Sequence, residues 1–406
     1  MSSSFQDEWC CALRYVKIAM SWILALPFLV PCYVSQPSIN ADAAQVSQFL
    51  PQIACNREYL AMARDKTASV WSLKDGCLLR SFAGHGEKVV RVSLSPDRKS
   101  LLSSSFVSPS SEINTKSADD SIRLWAIRSG RQILRIDHAT HGIFSMDGTK
   151  IFGLVQRKMN YGSVGGFDLA AWNVKTGKRL YIVSLPNDGA SPEYAFSLQE
   201  ARTSRRLLFA QHRTAIVCDS ASGQIVNENI SSMQYSNNTF LNPSGSRLQM
   251  ANYAGVSYIS VPESRTTETI DYPGDSHWEV GWEPSGLGFA AVNLDGLLAW
   301  KGPQGSYSQA KTSVAIPRQV EVLPGSAGIL VNWGGGNISP LGFVPQTVSA
   351  FDLRCQPLWH RAGKAIRLQQ GTEVVVLDGL NLSVVNFSSG SILRRITLAG
   401  AGPEPL

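Results

Sequence analysis

The chain has 406 residues, 44% of them hydrophobic and 17% charged, with a formal net charge of +6. This balance describes a folded chain with a sizeable core and excludes a disordered one. The charge is mild for the length, and no basic run exceeds pairs such as Arg205-Arg206 and Arg394-Arg395, so nucleic acid is not an expected partner.

Residues 1–43 have the make-up of a signal peptide or, without cleavage, of an N-terminal anchor. Arg14 and Lys17 precede an apolar stretch, residues 18–34, that Pro27 and Pro31 interrupt. Ala41-Asp42-Ala43 then offers small residues at a cleavage site. The stretch is shorter than the ~20 residues that span a bilayer, so export is expected, to a periplasm, a cell surface or the medium. Membrane attachment is expected only through an uncleaved leader. Pro31 directly before Cys32 disfavours a lipid-modified cysteine. Beyond the leader Cys55, Cys77, Cys218 and Cys355 are too scattered for a disulfide framework.

From residue 44 to 400 one pattern repeats. A strand-like segment runs into a turn, most often glycine, at 76, 130, 177, 223, 264, 305, 356 and 390, as in Val70-Trp71-Ser72-Leu73-Lys74-Asp75-Gly76. Upstream of the end points lie polar turns such as Ser95-Pro96-Asp97, Met146-Asp147-Gly148 and Asn242-Pro243-Ser244-Gly245. In these, Pro presets φ and Gly or Asp tolerates left-handed backbone. The apolar runs between turns, such as Val374-Val375-Val376-Leu377, read as strands, and no helical period survives past the leader.

The spacing fits propeller blades of about 40–45 residues with insertions. The expected fold is all-β: a single closed β-propeller over 44–400, followed by a short tail, 401–406. Eight four-stranded blades are expected, or seven if a weak unit ending at Ser264 or Gln356 is miscounted. The first unit looks short of its innermost strand, and an extra strand, residues 391–398, follows the last. That strand is expected to complete the first blade and close the ring.

Gly84-His85, Ser95-Pro96-Asp97 and Asp119-Asp120-Ser121-Ile122-Arg123-Leu124-Trp125 succeed one another in the order of a WD repeat. Asp65 stands six residues before Trp71, just as Asp119 stands before Trp125. Residues 49–398 thus resemble the WD-repeat β-propeller family, most clearly in the first two units. The resemblance implies structural roles for His85, Asp97, Asp119, Trp71, Trp125, Trp172 and Trp300. An Asp caps a tight turn, and a His–Asp–Ser/Thr–Trp set satisfies buried polar groups within a blade. The Trp-Asp pair that names the family is absent, and later units, as at Ala350-Phe351-Asp352-Leu353, resemble quinoprotein-dehydrogenase repeats. The vicinal cysteines that quinone binding needs in that family occur here only as Cys10-Cys11, inside the leader, so no cofactor is expected.

His138 and His141 are the best-spaced pair for a metal. They sit where unit two has Gly84-His85, however, so in-blade hydrogen bonding is the expected use of one of them. No nucleophile elbow or phosphate loop appears, and no catalytic or metal-binding residue is expected.

The extra residues carry the functional signal. Insertions at 106–117, 157–166 and 333–346 fall between the third and fourth strands of units two, three and seven, and hence on one rim. Loops that share a face build the binding surfaces of repeat proteins. Lys116, Tyr161, Trp333, Asn337 and Phe343 are the expected contacts with a protein partner. The expected function is an exported, non-enzymatic interaction scaffold, and the alternative is a hydrolase or oxidoreductase with its site at the central channel.

Overall fold

Backbone hydrogen bonding sorts the apolar runs into eight four-stranded antiparallel sheets, spanning 53–82, 89–137, 139–184, 196–230, 238–271, 278–311, 317–362 and 364–397. They form an eight-bladed β-propeller, numbered here as blades one to eight. This computed structural model describes residues 53–398 except 57, 107–119, 158–165, 187–195, 212–213, 231–237, 252–254, 262, 264–265, 272–277, 284, 286, 313–316, 324–326, 335, 339–341, 345 and 368–372. The leader and the tail lie outside the described residues.

Ring closure differs from the expectation. Ile53–Cys55 pairs with Tyr59–Arg64 as the first blade's own innermost strand, and Ile392–Thr397 pairs with Asn381–Asn386 as the outermost strand of the eighth. The expected phase is one strand off, because each glycine turn leads into the outermost strand of its own blade. The ring closes by side-chain packing instead: Val375, Leu382 and Ile396 of blade eight meet Leu60, Trp71 and Leu73 of blade one.

Second and third strands are buried on both faces, which is why they read as unbroken apolar runs. Every residue of Phe289–Asn293 and of Ile329–Trp333 is buried. Outermost strands such as Gln132–Asp137 and Arg179–Ser184 face solvent along most of their length. First strands of neighbouring blades touch one another from blade one to blade three and from blade four to blade seven, and so line the axis. The core therefore lies between blades. One cluster joins Ala61 and Val70 of blade one to Val92, Leu101 and Trp125 of blade two. Another joins Leu169 and Ala171 of blade three to Leu207 and Cys218 of blade four. A fully buried side chain of Val or Leu size contributes about 1.5–3 kcal/mol, which a solitary blade with bare faces would forfeit.

The glycine turns do two jobs. Gly76, Gly130, Gly177, Gly223 and Gly390 have φ between 67 and 76°, and each N–H donates to the carbonyl four residues earlier. Most also lie tight against the outermost strand of the preceding blade. A Cβ on Gly76 would sit 2.2 Å from Ile396 Cγ2 and 2.7 Å from the Thr397 carbonyl oxygen. In blade seven Cys355 takes the left-handed position instead, at φ 61°.

Antiparallel order divides the turns between two faces. The polar turns joining first to second strands and the glycine turns joining third to fourth lie on one face. The connections from second to third strand, and from one blade to the next, leave from the other.

Candidate functional site

The loop-bearing face is the candidate site. Its three long connections leave from Ser100–Ser105, Lys150–Gln156 and Ile329–Trp333 and return at Ser121–Ala126, Phe167–Asn173 and Thr347–Phe351. They therefore join second to third strands, not third to fourth, and they share one face as expected. Lys116 and Tyr161 lie outside the described residues. Asn337 and Phe343 are direct partners in a small hairpin, Gly336–Ile338 with Gly342–Val344, that stands apart from the blade sheet.

Trp333 is a correction. It is 1% exposed and its Nε1 donates to Ser349 Oγ at 2.9 Å, so it is core and cannot anchor a partner. Ser349 Oγ also lies 2.8 Å from His360 Nδ1, so a Trp–Ser–His chain runs across three strands from the buried Trp333 to the exposed His360. The second strand runs one residue further than its glycine-rich sequel suggests, and that last residue points inward.

The structural repeat residues sort by blade. In blade two His85 Nε2 lies 2.7 Å from Ser103 Oγ, His85 Nδ1 lies 2.9 Å from Ser105 Oγ, and Trp125 Nε1 donates to Ser103 Oγ at 2.8 Å. Gly84 permits this approach, since its φ is 142° and a Cβ there would meet Arg123 Nη1 at 2.8 Å. Asp119 lies outside the described residues. Asp97 caps its turn, accepting from Ser95 Oγ at 2.6 Å and from the Lys99 N–H at 3.0 Å. Trp71, Trp172 and Trp300 are buried at matching points of their third strands. Trp71 finds no polar partner for its Nε1, because Met62 stands where blade two has Ser103. Cys218 is fully buried at the equivalent position, and burial pushes its thiol up to about 12.

A feature invisible in the sequence accompanies the long connections. The innermost strands of blades two, three and seven each carry a bulge beside their second strand, and the other blades carry none there among the described residues. Val90 is the extra residue before Arg91, which pairs with Ser104. His141 and Gly142 face the single Gly153 in blade three. Arg318 is the extra residue in blade seven. Bulges of this kind bend a strand and re-aim a side chain.

The blade-three bulge is held in place by its neighbours. The Gly142 N–H donates to Ser104 Oγ at 2.8 Å, Thr140 Oγ1 donates to the Ser105 carbonyl at 2.9 Å, and His141 holds φ 58°. His141 Nδ1 lies 3.0 Å from Thr140 Oγ1, and its ring centroid is 5.9 Å from that of Phe106. Burial first, then the charge of Arg91, lowers His141 to about 3, so its ring is neutral at physiological pH. Burial lowers Arg91 to about 10. Burial also lowers Arg318, against the opposing effect of Glu279. No three His, Cys, Asp or Glu side chains among the described residues group as metal ligands.

No protein-family model matches the chain. The chain is similar to eukaryotic translation initiation factor 3 subunit I, a WD-repeat protein: 29% identical over 118 residues to that of Neurospora crassa, 28% over 127 to that of Emericella nidulans and 24% over 160 to that of Neosartorya fischeri. The matches cover 28%, 30% and 38% of this chain, and the chain spans only 31%, 34% and 42% of those relatives' own lengths.

Proposed function

Because the chain is a divergent WD-repeat β-propeller, we propose that it is a non-enzymatic scaffold that binds a protein partner on its loop-bearing face. The observation that carries this reading is the coincidence of three long second-to-third-strand connections with three innermost-strand bulges, in the same three blades. A rigid ring with added length and re-aimed side chains on one face has the anatomy of a binding platform. The matched relatives support the scaffold class, being named as a subunit of a larger factor.

Export is the second part of the proposal, and it rests on the leader alone: Arg14 and Lys17, the apolar stretch 18–34 and Ala41-Asp42-Ala43. Sequencing the N-terminus of the chain purified from its own cells tests it. A mature start at Ala44 is the expected result, and an intact leader in a soluble intracellular fraction would contradict it.

Deleting 107–117 or 334–344 tests the rim. Trp333 and Thr347 are direct partners, so the second deletion leaves Pro345-Gln346 to bridge a closed pair of strands. Both variants should unfold within about 1 kcal/mol of the native chain, because shortening a surface loop changes little. At least one should lose its partner in affinity capture. Capture unchanged by both deletions would remove the rim from the proposal.

A further inference from the structure

Two of the three bulges place an arginine near the end of an innermost strand that faces the long connections. Arg91 sits beside His141 near the axis between blades two and three, and Arg318 enters from blade seven. Arg91 is half-buried and makes no hydrogen bond or ion pair among the described residues. The Arg318 Nε is buried with no acceptor, even though Glu279 acts on its charge from blade six. Burying a guanidinium N–H without an acceptor is unfavourable, and an incoming anion offsets that penalty at Arg318.

We propose that Arg91 and Arg318 receive carboxylates from an acidic segment of the protein partner, at the mouth of the channel on the loop-bearing face. This deepens the scaffold reading and rests on it. The surrounding walls favour separate carboxylates over a continuous polyanion. Glu279 and Glu321 lie on the innermost strands of blades six and seven, where they would repel a nucleic-acid backbone. Gln319 Nε2 donates to Glu321 Oε1 at 2.7 Å, and Glu321 acts favourably on the charge of Lys364 in blade eight, so that part of the wall is already neutralised. Arg91 makes no ion pair among the described residues, and it stands in a blade that carries a long connection.

The experiment uses the full chain and a fluorescein-labelled decaglutamate peptide, read by fluorescence anisotropy, with decauridylate as the second probe. Decaglutamate should bind, and added salt should weaken it. The double variant Arg91→Gln, Arg318→Gln should weaken it by at least about tenfold, and Arg394→Gln on an exposed outer strand should leave it unchanged. On the native chain, where folding is not in question, bound decaglutamate should protect Arg91 and Arg318 from phenylglyoxal, read by mass spectrometry. The inference is overturned by no binding, by undiminished binding in a double variant that keeps the native unfolding midpoint, by absent protection, or by tighter binding of decauridylate. A chain that captures its partner through the rim but ignores decaglutamate keeps the scaffold reading and overturns this one.

Discussion

Ser103 shows how much one hydroxyl decides. Its Oγ lies between His85 Nε2 and Trp125 Nε1, and all three residues are buried. Ser103→Ala would leave both ring nitrogens without that partner, and should lower stability by about 1–3 kcal/mol in urea unfolding with an unchanged slope. A loss below about 0.5 kcal/mol would show that water or another group substitutes.

Asp147 gives a pH-dependent counterpart. Burial raises its pKa, but hydrogen bonds from Ser145 and from the Thr149 backbone and side chain outweigh that and hold the carboxyl at about 2. A depressed acid contributes stability above its ordinary value, and that contribution disappears as pH falls through the folded value. The stability gap between the native chain and Asp147→Asn should be widest near neutrality and should close as pH falls from about 4 towards about 2. A gap constant over that window would contradict the assignment.

For single residues the sequence was a good guide where the chemistry is local. Gly84-His85 and Ser95-Pro96-Asp97 state their own turns and caps. Trp333 misleads because its neighbours, Gly334 to Gly336, look like loop, while its burial depends on Ser349 sixteen residues away.

Among elements, the glycine turn is the unit that locks one blade to the next. Gly76 has φ 74° and a backbone carbonyl pressed on it, whereas Gly305 has φ 82° and open space, with no atom within 4 Å of where a Cβ would stand. Gly305→Ala should therefore cost about 1–2 kcal/mol, the left-handed penalty alone. Gly76→Ala should cost about 2–5 kcal/mol, because overpacking adds to that penalty. Equal losses in thermal or urea unfolding would mean that the interlock contributes nothing. Strands and glycine turns were legible because their signals lie within a few residues. The innermost-strand bulges were not, because a bulge is a mismatch between two strands and neither strand records it alone. Arg91 and Arg318 look like ordinary strand residues in the sequence.

At the largest scale the eight blades form a ring closed by packing and not by a shared strand. The count of eight was readable from the spacing of the turns, since each unit repeats the same two markers. The mode of closure was not readable, because it depends on which blade owns the strand after each glycine. With closure at the seam of blades eight and one, Gly76→Ala is also a test of ring integrity. The same topology sets the functional face: antiparallel order sends every second-to-third-strand connection to one side, whatever its sequence. The identity of the loop contacts stayed partly hidden, and burial removes Trp333 from them.

Hydrogen–deuterium exchange of the full chain, alone and with its captured partner, decides which face of the ring is the platform. Exchange should slow at 84–92, 138–142 and 317–321 on the loop-bearing face, with the glycine turns at 74–77 and 128–131 unchanged. Protection confined to the glycine turns, with the bulged strands unaltered, would place the partner on the opposite face and refute binding through the loops.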